Sequence, residues 1–233
     1  MPDSSRLCDL SPEPVGFEYP LPHLREALKR QRKIKIVAIG SSSTAGVDPV
    51  LPFPPRLEML MREEFYGRMI DVLNRGIGGQ EAPEELSRFE SDVIGEAPAL
   101  VIWQVGTNAV YRKEDYNFKD VTAAIAVGLD WLAGLPVDVV LMDLQYTWAL
   151  VKPGKLDLSN EMVSLISTTA EDKGVNVFNR FALMQGWVKA GIPLEELDDG
   201  AEIRLHTSDC ATKCVAKALF GAIKLAAETD EIP

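Results

Sequence analysis

Short runs of apolar and β-branched residues alternate along the chain with longer stretches whose apolar positions recur at helical spacing. The runs are Ile34 to Ile39, Met69 to Leu73, Leu100 to Val105, Val137 to Leu141 and Val175 to Phe178. They return every ~30 to 40 residues, the length of a strand–helix–strand unit, and few polar residues interrupt them, as expected of strands buried on both faces. This pattern predicts an α/β fold, a three-layer α/β/α sandwich around a five-stranded parallel sheet. Prolines that open helices and glycines that close them set the crossovers. Pro54 or Pro55 opens a helix to about Glu64, and Pro83 opens another. Asp120 to Ala133 ends before Gly134, Ser159 to Lys173 ends at Gly174, and a last helix covers about Asp209 to Ala227.

Residues 1–33 read as an N-terminal arm packed on the domain, since Pro12, Pro14, Pro20 and Pro22 interrupt it before a basic helical pattern from Leu24 to Lys33. Residues 34–233 read as one domain, with no linker to divide them. At 233 residues and 46% hydrophobic the chain can bury a full core, which excludes disordered and fibrous classes. A net charge of -11 and a pI near 4.7 repel phosphate backbones and anionic lipid, so neither nucleic acid nor membrane insertion is expected. No apolar run approaches the ~20 residues of a spanning helix, and the protein reads as soluble. Cys8, Cys210 and Cys214 are too few for a disulfide scaffold and lack metal-ligand spacing, so no metal is expected. Cys210 or Cys214 could bridge to Cys8 if the arm folds back; the alternative is buried thiols. Met1 to Leu10 lacks the basic and apolar regions of a secretory signal.

In an open parallel sheet, ligands bind beyond the carboxyl ends of the strands. After the first run stands Gly40-Ser41-Ser42-Ser43-Thr44-Ala45-Gly46, where a serine can point its oxygen into the cleft or simply cap a helix. After the second comes Asn74-Arg75-Gly76-Ile77-Gly78-Gly79-Gln80, whose glycines let backbone N–H groups converge on one point, or form a flexible turn. After the third, Gly106-Thr107-Asn108 brings an uncharged amide donor to the same edge. The chain has two histidines, and His23 lies in the proline-rich arm. His206 follows the fifth run just before the closing helix, and imidazole is the usual base for a serine. Asp198, Asp199 and Glu202 precede it within an acidic stretch that also holds Glu195 and Glu196, so the residues alone do not single out an orienting acid.

Taken in order, these blocks resemble those of the SGNH (GDSL-type) hydrolases, in particular a bacterial branch with GSSSTAG, LNRG and WQVGTN patterns, here Gly40 to Gly46, Leu73 to Gly76 and Trp103 to Asn108. The resemblance runs from Ile34 to the final helix and implies a flavodoxin-like SGNH hydrolase fold. It puts Ser42 in the nucleophile's place and His206 in the base's. Ser42, Gly79 and Asn108 take the places of the oxyanion donors. The family's acid stands three residues before the histidine, where this chain has Ile203. The stretch reads as the usual D-G-L-H with four residues inserted, which makes Asp199 the orienting acid, Glu202 its substitute, and a Ser42–His206 dyad a further option.

The resemblance implies a serine esterase that hydrolyses small acyl esters, acetyl ones in the first place and with carbohydrate as a candidate carrier, through an acyl-enzyme and without a cofactor. The expected partner is a small-molecule or carbohydrate ester. Trp103, Tyr111, Tyr146, Trp148 and Trp187 could offer stacking faces for a sugar, although aromatics at such positions more often belong to the core or the rim. Two other readings stay open: a relative that binds glycan without cleaving it, and a flavodoxin-like protein whose hydroxyl-rich loop cradles the phosphate of a cofactor. The expected location is periplasmic or secreted if an export signal has been trimmed, and cytoplasmic otherwise.

Overall fold

A computed structural model describes residues 16–229. The five apolar runs are its strands: β1 Lys33–Gly40, β2 Met69–Gly76, β3 Leu100–Gln104, β4 Asp138–Met142 and β5 Asn176–Phe178. Every pairing is parallel, in the order β2-β1-β3-β4-β5. Side chains alternate across a strand, and both faces here are buried. Ile36, Ile102 and Val140 point into one core, which helices Pro22–Arg30, Phe53–Glu64 and Asp209–Glu228 cover. Val37, Trp103 and Leu141 point into the other, beneath helices Phe118–Ala133 and Leu156–Lys173. This is the three-layer α/β/α arrangement that the alternation implies.

Several boundaries differ from expectation. Asn117 caps the helix that begins at Phe118 by accepting the Lys119 N–H at 2.9 Å, so the helix opens before Asp120. The basic helix spans Pro22–Arg30, and Lys33 already belongs to β1. Helix Arg180–Lys189 escapes the periodicity because Phe181, Leu183, Met184 and Trp187 are all buried, leaving no single apolar stripe to detect.

The described part of the arm lies against the domain. Leu21 and Leu24 are buried, the Leu21 N–H donates to the Ala226 carbonyl at 3.0 Å, and the Leu24 N–H donates to Asp138 Oδ2 at 2.8 Å. Cys214 is disulfide-bonded; Cys8 lies outside the described residues. Among the described residues no helix is long and apolar enough to cross a membrane.

The strand order reverses direction between β1 and β3, which opens a crevice at their carboxyl ends. The loops that follow β1, β2 and β3 therefore meet there.

Candidate active site

β1 ends at Gly40, and the chain turns directly into the short helix Ser42–Ala45. The end of β2 braces that turn. A Cβ on Gly76 would lie 2.2 Å from the Ala45 nitrogen, so only glycine permits the approach. Asn74 Nδ2 donates to the carbonyls of Thr44 at 2.8 Å and Ala45 at 3.2 Å, satisfying acceptors that the helix end leaves open. The Leu73 to Gly76 block is thus a support for the serine turn.

The next turn, Ile77 to Gln80, is closed by the Gln80 N–H donating to the Ile77 carbonyl at 3.3 Å, with Gly79 at φ +83°. It runs beside the serine: a Cβ on Gly78 would stand 3.9 Å from Ser42 Cβ. The Gly79 carbonyl accepts from the Arg112 guanidinium, while among the described residues its N–H donates to no protein acceptor. Asn108 Nδ2 donates to the Gln80 carbonyl at 2.7 Å, which occupies one of its two hydrogens and ties it to the glycine turn.

A buried carboxylate sets the backbone around Asn108. Glu81 accepts the Gly106 N–H at 2.7 Å and the Ala109 N–H at 2.9 Å, fixing the start of helix Thr107–Tyr111. Burial pushes the Glu81 carboxyl up, and these backbone donors oppose it. Next to it, burial and then the Glu81 charge hold the Glu85 carboxyl well above the usual carboxylate range. A folded-state pKa raised in this way costs stability as pH rises from the unfolded value towards the folded one. Glu85→Gln keeps an acceptor for Trp103 Nε1, now at 2.7 Å from Glu85. The variant is expected to raise Tm over wild type at about pH 8 and by less at about pH 5, as calorimetry will show.

His206 faces the serine from the far side of the crevice, with Nε2 3.0 Å from Ser42 Oγ. Its Nδ1 lies 3.4 Å from Asp199 Oδ2. The inserted residues do not separate the two, because they loop outward between a bridge pairing Asp198 with Thr207 and the Asp199 N–H donating to the His206 carbonyl at 2.9 Å. Arg204, at φ +46°, staples this loop by donating to Asp198 Oδ2 through Nε at 2.9 Å, while its guanidinium stands 5.3 Å from the Trp148 ring centre. Glu202 is exposed and outside the crevice. His23 lies elsewhere, lining a separate cavity with Lys33 and Lys35.

A cavity of about 410 Å³ opens beside Ser42 and His206. Val47, Asp48, Val50, Ala201, Ser208 and Asp209 help to line it, whereas Gly79 and Asn108 do not. None of the five aromatic residues considered as stacking faces for a sugar lines it either. Trp103 and Trp187 are fully buried core residues, since apolar helices cover both faces of the sheet; Trp103 packs edge-on against Phe89.

The chain belongs to the non-GDSL lipase-like family, whose model matches residues 7–229. No curated protein matches. Among solved structures it is similar to Axe2, an acetylxylan esterase from Geobacillus stearothermophilus, with 20% identity and a TM-score of 0.70 over 82% of this chain and 94% of that one. It is also similar to LAE5, an alpha/beta hydrolase enzyme from the metagenome of Lake Arreo, Spain. There the identity is 18% and the TM-score 0.70, over 82% of this chain and 96% of that one.

Proposed function

We propose that the protein is a serine esterase with an SGNH-type site that hydrolyses small acyl esters, acetyl in the first place, on carbohydrate alcohols. The observation that carries this reading is the 3.0 Å contact between Ser42 Oγ and His206 Nε2 at the mouth of a cavity. Ser42 Oγ attacks the ester carbonyl carbon while its proton passes to His206 Nε2. The N–H groups of Ser42 and Gly79 and the free amide hydrogen of Asn108 hold the resulting O⁻. Collapse of that intermediate expels the alcohol, protonated by His206, and leaves an acyl group on Ser42. Water, deprotonated by His206, then releases the acid and restores the serine.

The position of the cavity supports the substrate class. A leaving oxygen must lie within reach of His206, so a cavity on the imidazole side, away from Gly79 and Asn108, receives the alcohol rather than the acyl group. Its lining of Ser208, Thr207, Asp48 and Asp209 offers hydrogen-bonding partners to hydroxyl groups, and among the described residues no lysine or arginine lines it. Axe2, described as an acetylxylan esterase, has catalytic mutants at a serine, a histidine and an aspartate, the same residue types as Ser42, His206 and Asp199.

The test is turnover of p-nitrophenyl acetate and release of acetate from acetylated xylo-oligosaccharide, each against Ser42→Ala. Turnover that survives in Ser42→Ala contradicts the mechanism, and a wild type that binds the oligosaccharide without cleaving it points to a glycan-binding relative. Asn108→Ala is expected to lower kcat by about 10²- to 10³-fold, the usual loss for one oxyanion donor, with KM little changed. Steady-state kinetics on the folded variant measures it.

A further inference from the structure

Buried polar side chains that take no part in the steps above join the loops carrying Ser42, Asn108 and His206. Gln104, at the end of β3, accepts the Ser41 N–H at 3.1 Å and the Ser41 hydroxyl at 2.9 Å through Oε1. Its Nε2 donates to Thr107 Oγ1 at 3.3 Å, and the Thr107 hydroxyl donates onward to Gln145 Oε1 at 2.9 Å. Gln145 Nε2 then donates to the Leu205 carbonyl at 3.0 Å, where Thr147 Oγ1 also donates at 2.9 Å. The relay crosses the carboxyl ends of β1, β3 and β4 and ends one residue before His206. Ser41, Gln104, Thr107, Gln145 and Thr147 are each no more than 1% exposed.

The partners fix the orientation of the Gln145 amide. The buried Arg180 guanidinium donates to Oε1 at 2.8 Å, and the Leu205 carbonyl accepts from Nε2. Arginine only donates and a carbonyl only accepts, so a flipped amide would set donor against donor and acceptor against acceptor. The Leu205 carbonyl and the His206 nitrogen belong to one peptide plane, so anything that moves this carbonyl moves the imidazole relative to Ser42 Oγ.

We infer that Gln145 is a positioning residue that, together with Thr147, clamps the Leu205 carbonyl and thereby sets the separation of Ser42 and His206. The inference rests on the esterase reading above. Removing a donor leaves a buried acceptor short of a partner, so the peptide shifts to find another. A displacement of about 1 Å at reacting groups costs about 10²-fold in rate.

Two variants test it in the full chain. Gln145→Glu keeps an acceptor for Thr107 and Arg180 but sets an oxygen against the Leu205 carbonyl. Thr147→Val removes the second donor and leaves Gln145 intact, so it decides the matter if Gln145→Glu does not fold. Turnover of p-nitrophenyl acetate is measured per serine titrated with a fluorophosphonate, beside wild type and Ser42→Ala. With KM within about twofold, kcat per titrated site is expected to fall by about 10- to 100-fold in Gln145→Glu and by a smaller factor in Thr147→Val. A purely structural role lowers Tm and the number of titratable sites but leaves kcat per site unchanged, and that result overturns the inference while the esterase reading stands. A wild type without Ser42-dependent turnover removes both.

Discussion

Ser42→Ala and His206→Ala are each expected to lower kcat for p-nitrophenyl acetate by about 10⁴- to 10⁶-fold, and the double variant to lose no more than the worse single one. In the proposed mechanism both residues serve one step, in which the serine proton leaves as the carbon–oxygen bond forms, so removing either removes the step. Independent contributions would instead multiply. Ser42 sits at the start of a four-residue helix that Asn74 and Gly76 hold from the β2 side, and its own side chain supports nothing else among the described contacts. Ser42→Ala should therefore keep the wild-type Tm, which separates lost chemistry from lost fold. Single-variant losses below about tenfold would remove the covalent mechanism and leave the residual rate to the protein surface or to contaminants.

The architecture was legible because parallel strands covered on both faces leave nearly unbroken apolar runs. Leu100 to Gln104 is buried along its whole length, and its run stands out accordingly. A parallel five-stranded sheet followed from the spacing of these runs, and the rule that ligands gather beyond strand ends directed attention to the loops that carry Ser42, Gly79, Asn108 and His206. The same rule, applied to the loop after β4, would have pointed to Gln145, a buried polar residue three positions beyond Met142. Read along the chain it is one polar residue among Leu144, Tyr146 and Trp148, and its partners at Thr107, Arg180 and Leu205 become neighbours only in the fold. Glu81 was hidden for a related reason: a glutamate before a proline-opened helix reads as a solvated cap, whereas here it is buried under Gly106 and Ala109. For the aromatic residues the sequence left core and stacking roles both open, because a large ring near a strand end looks available until a covering helix is in place, as with Trp103.

The proposed acid was the hardest member to read, since distance along the chain misrepresents distance in space when an insertion closes on itself. Asp199 stands seven positions before His206. The Asp198–Thr207 bridge and the Asp199–His206 backbone hydrogen bond nevertheless make their backbones neighbours. Asp199→Asn is accordingly expected to lower kcat by about 10³- to 10⁴-fold, the scale seen when a triad carboxylate becomes an amide and the imidazole is held in the wrong tautomer. Glu202→Gln is expected to stay within about twofold of wild type, because an exposed side chain outside the crevice has no route to Nδ1. Adding Ile203→Asp to Asp199→Asn, which restores an acid three residues before the histidine, should not rescue activity, because Ile203 is exposed on the outward loop. Steady-state kinetics on these variants discriminates sharply. Near wild-type turnover in Asp199→Asn would leave a Ser42–His206 dyad, and rescue by Ile203→Asp would mean that the loop refolds to present its acid from the usual register.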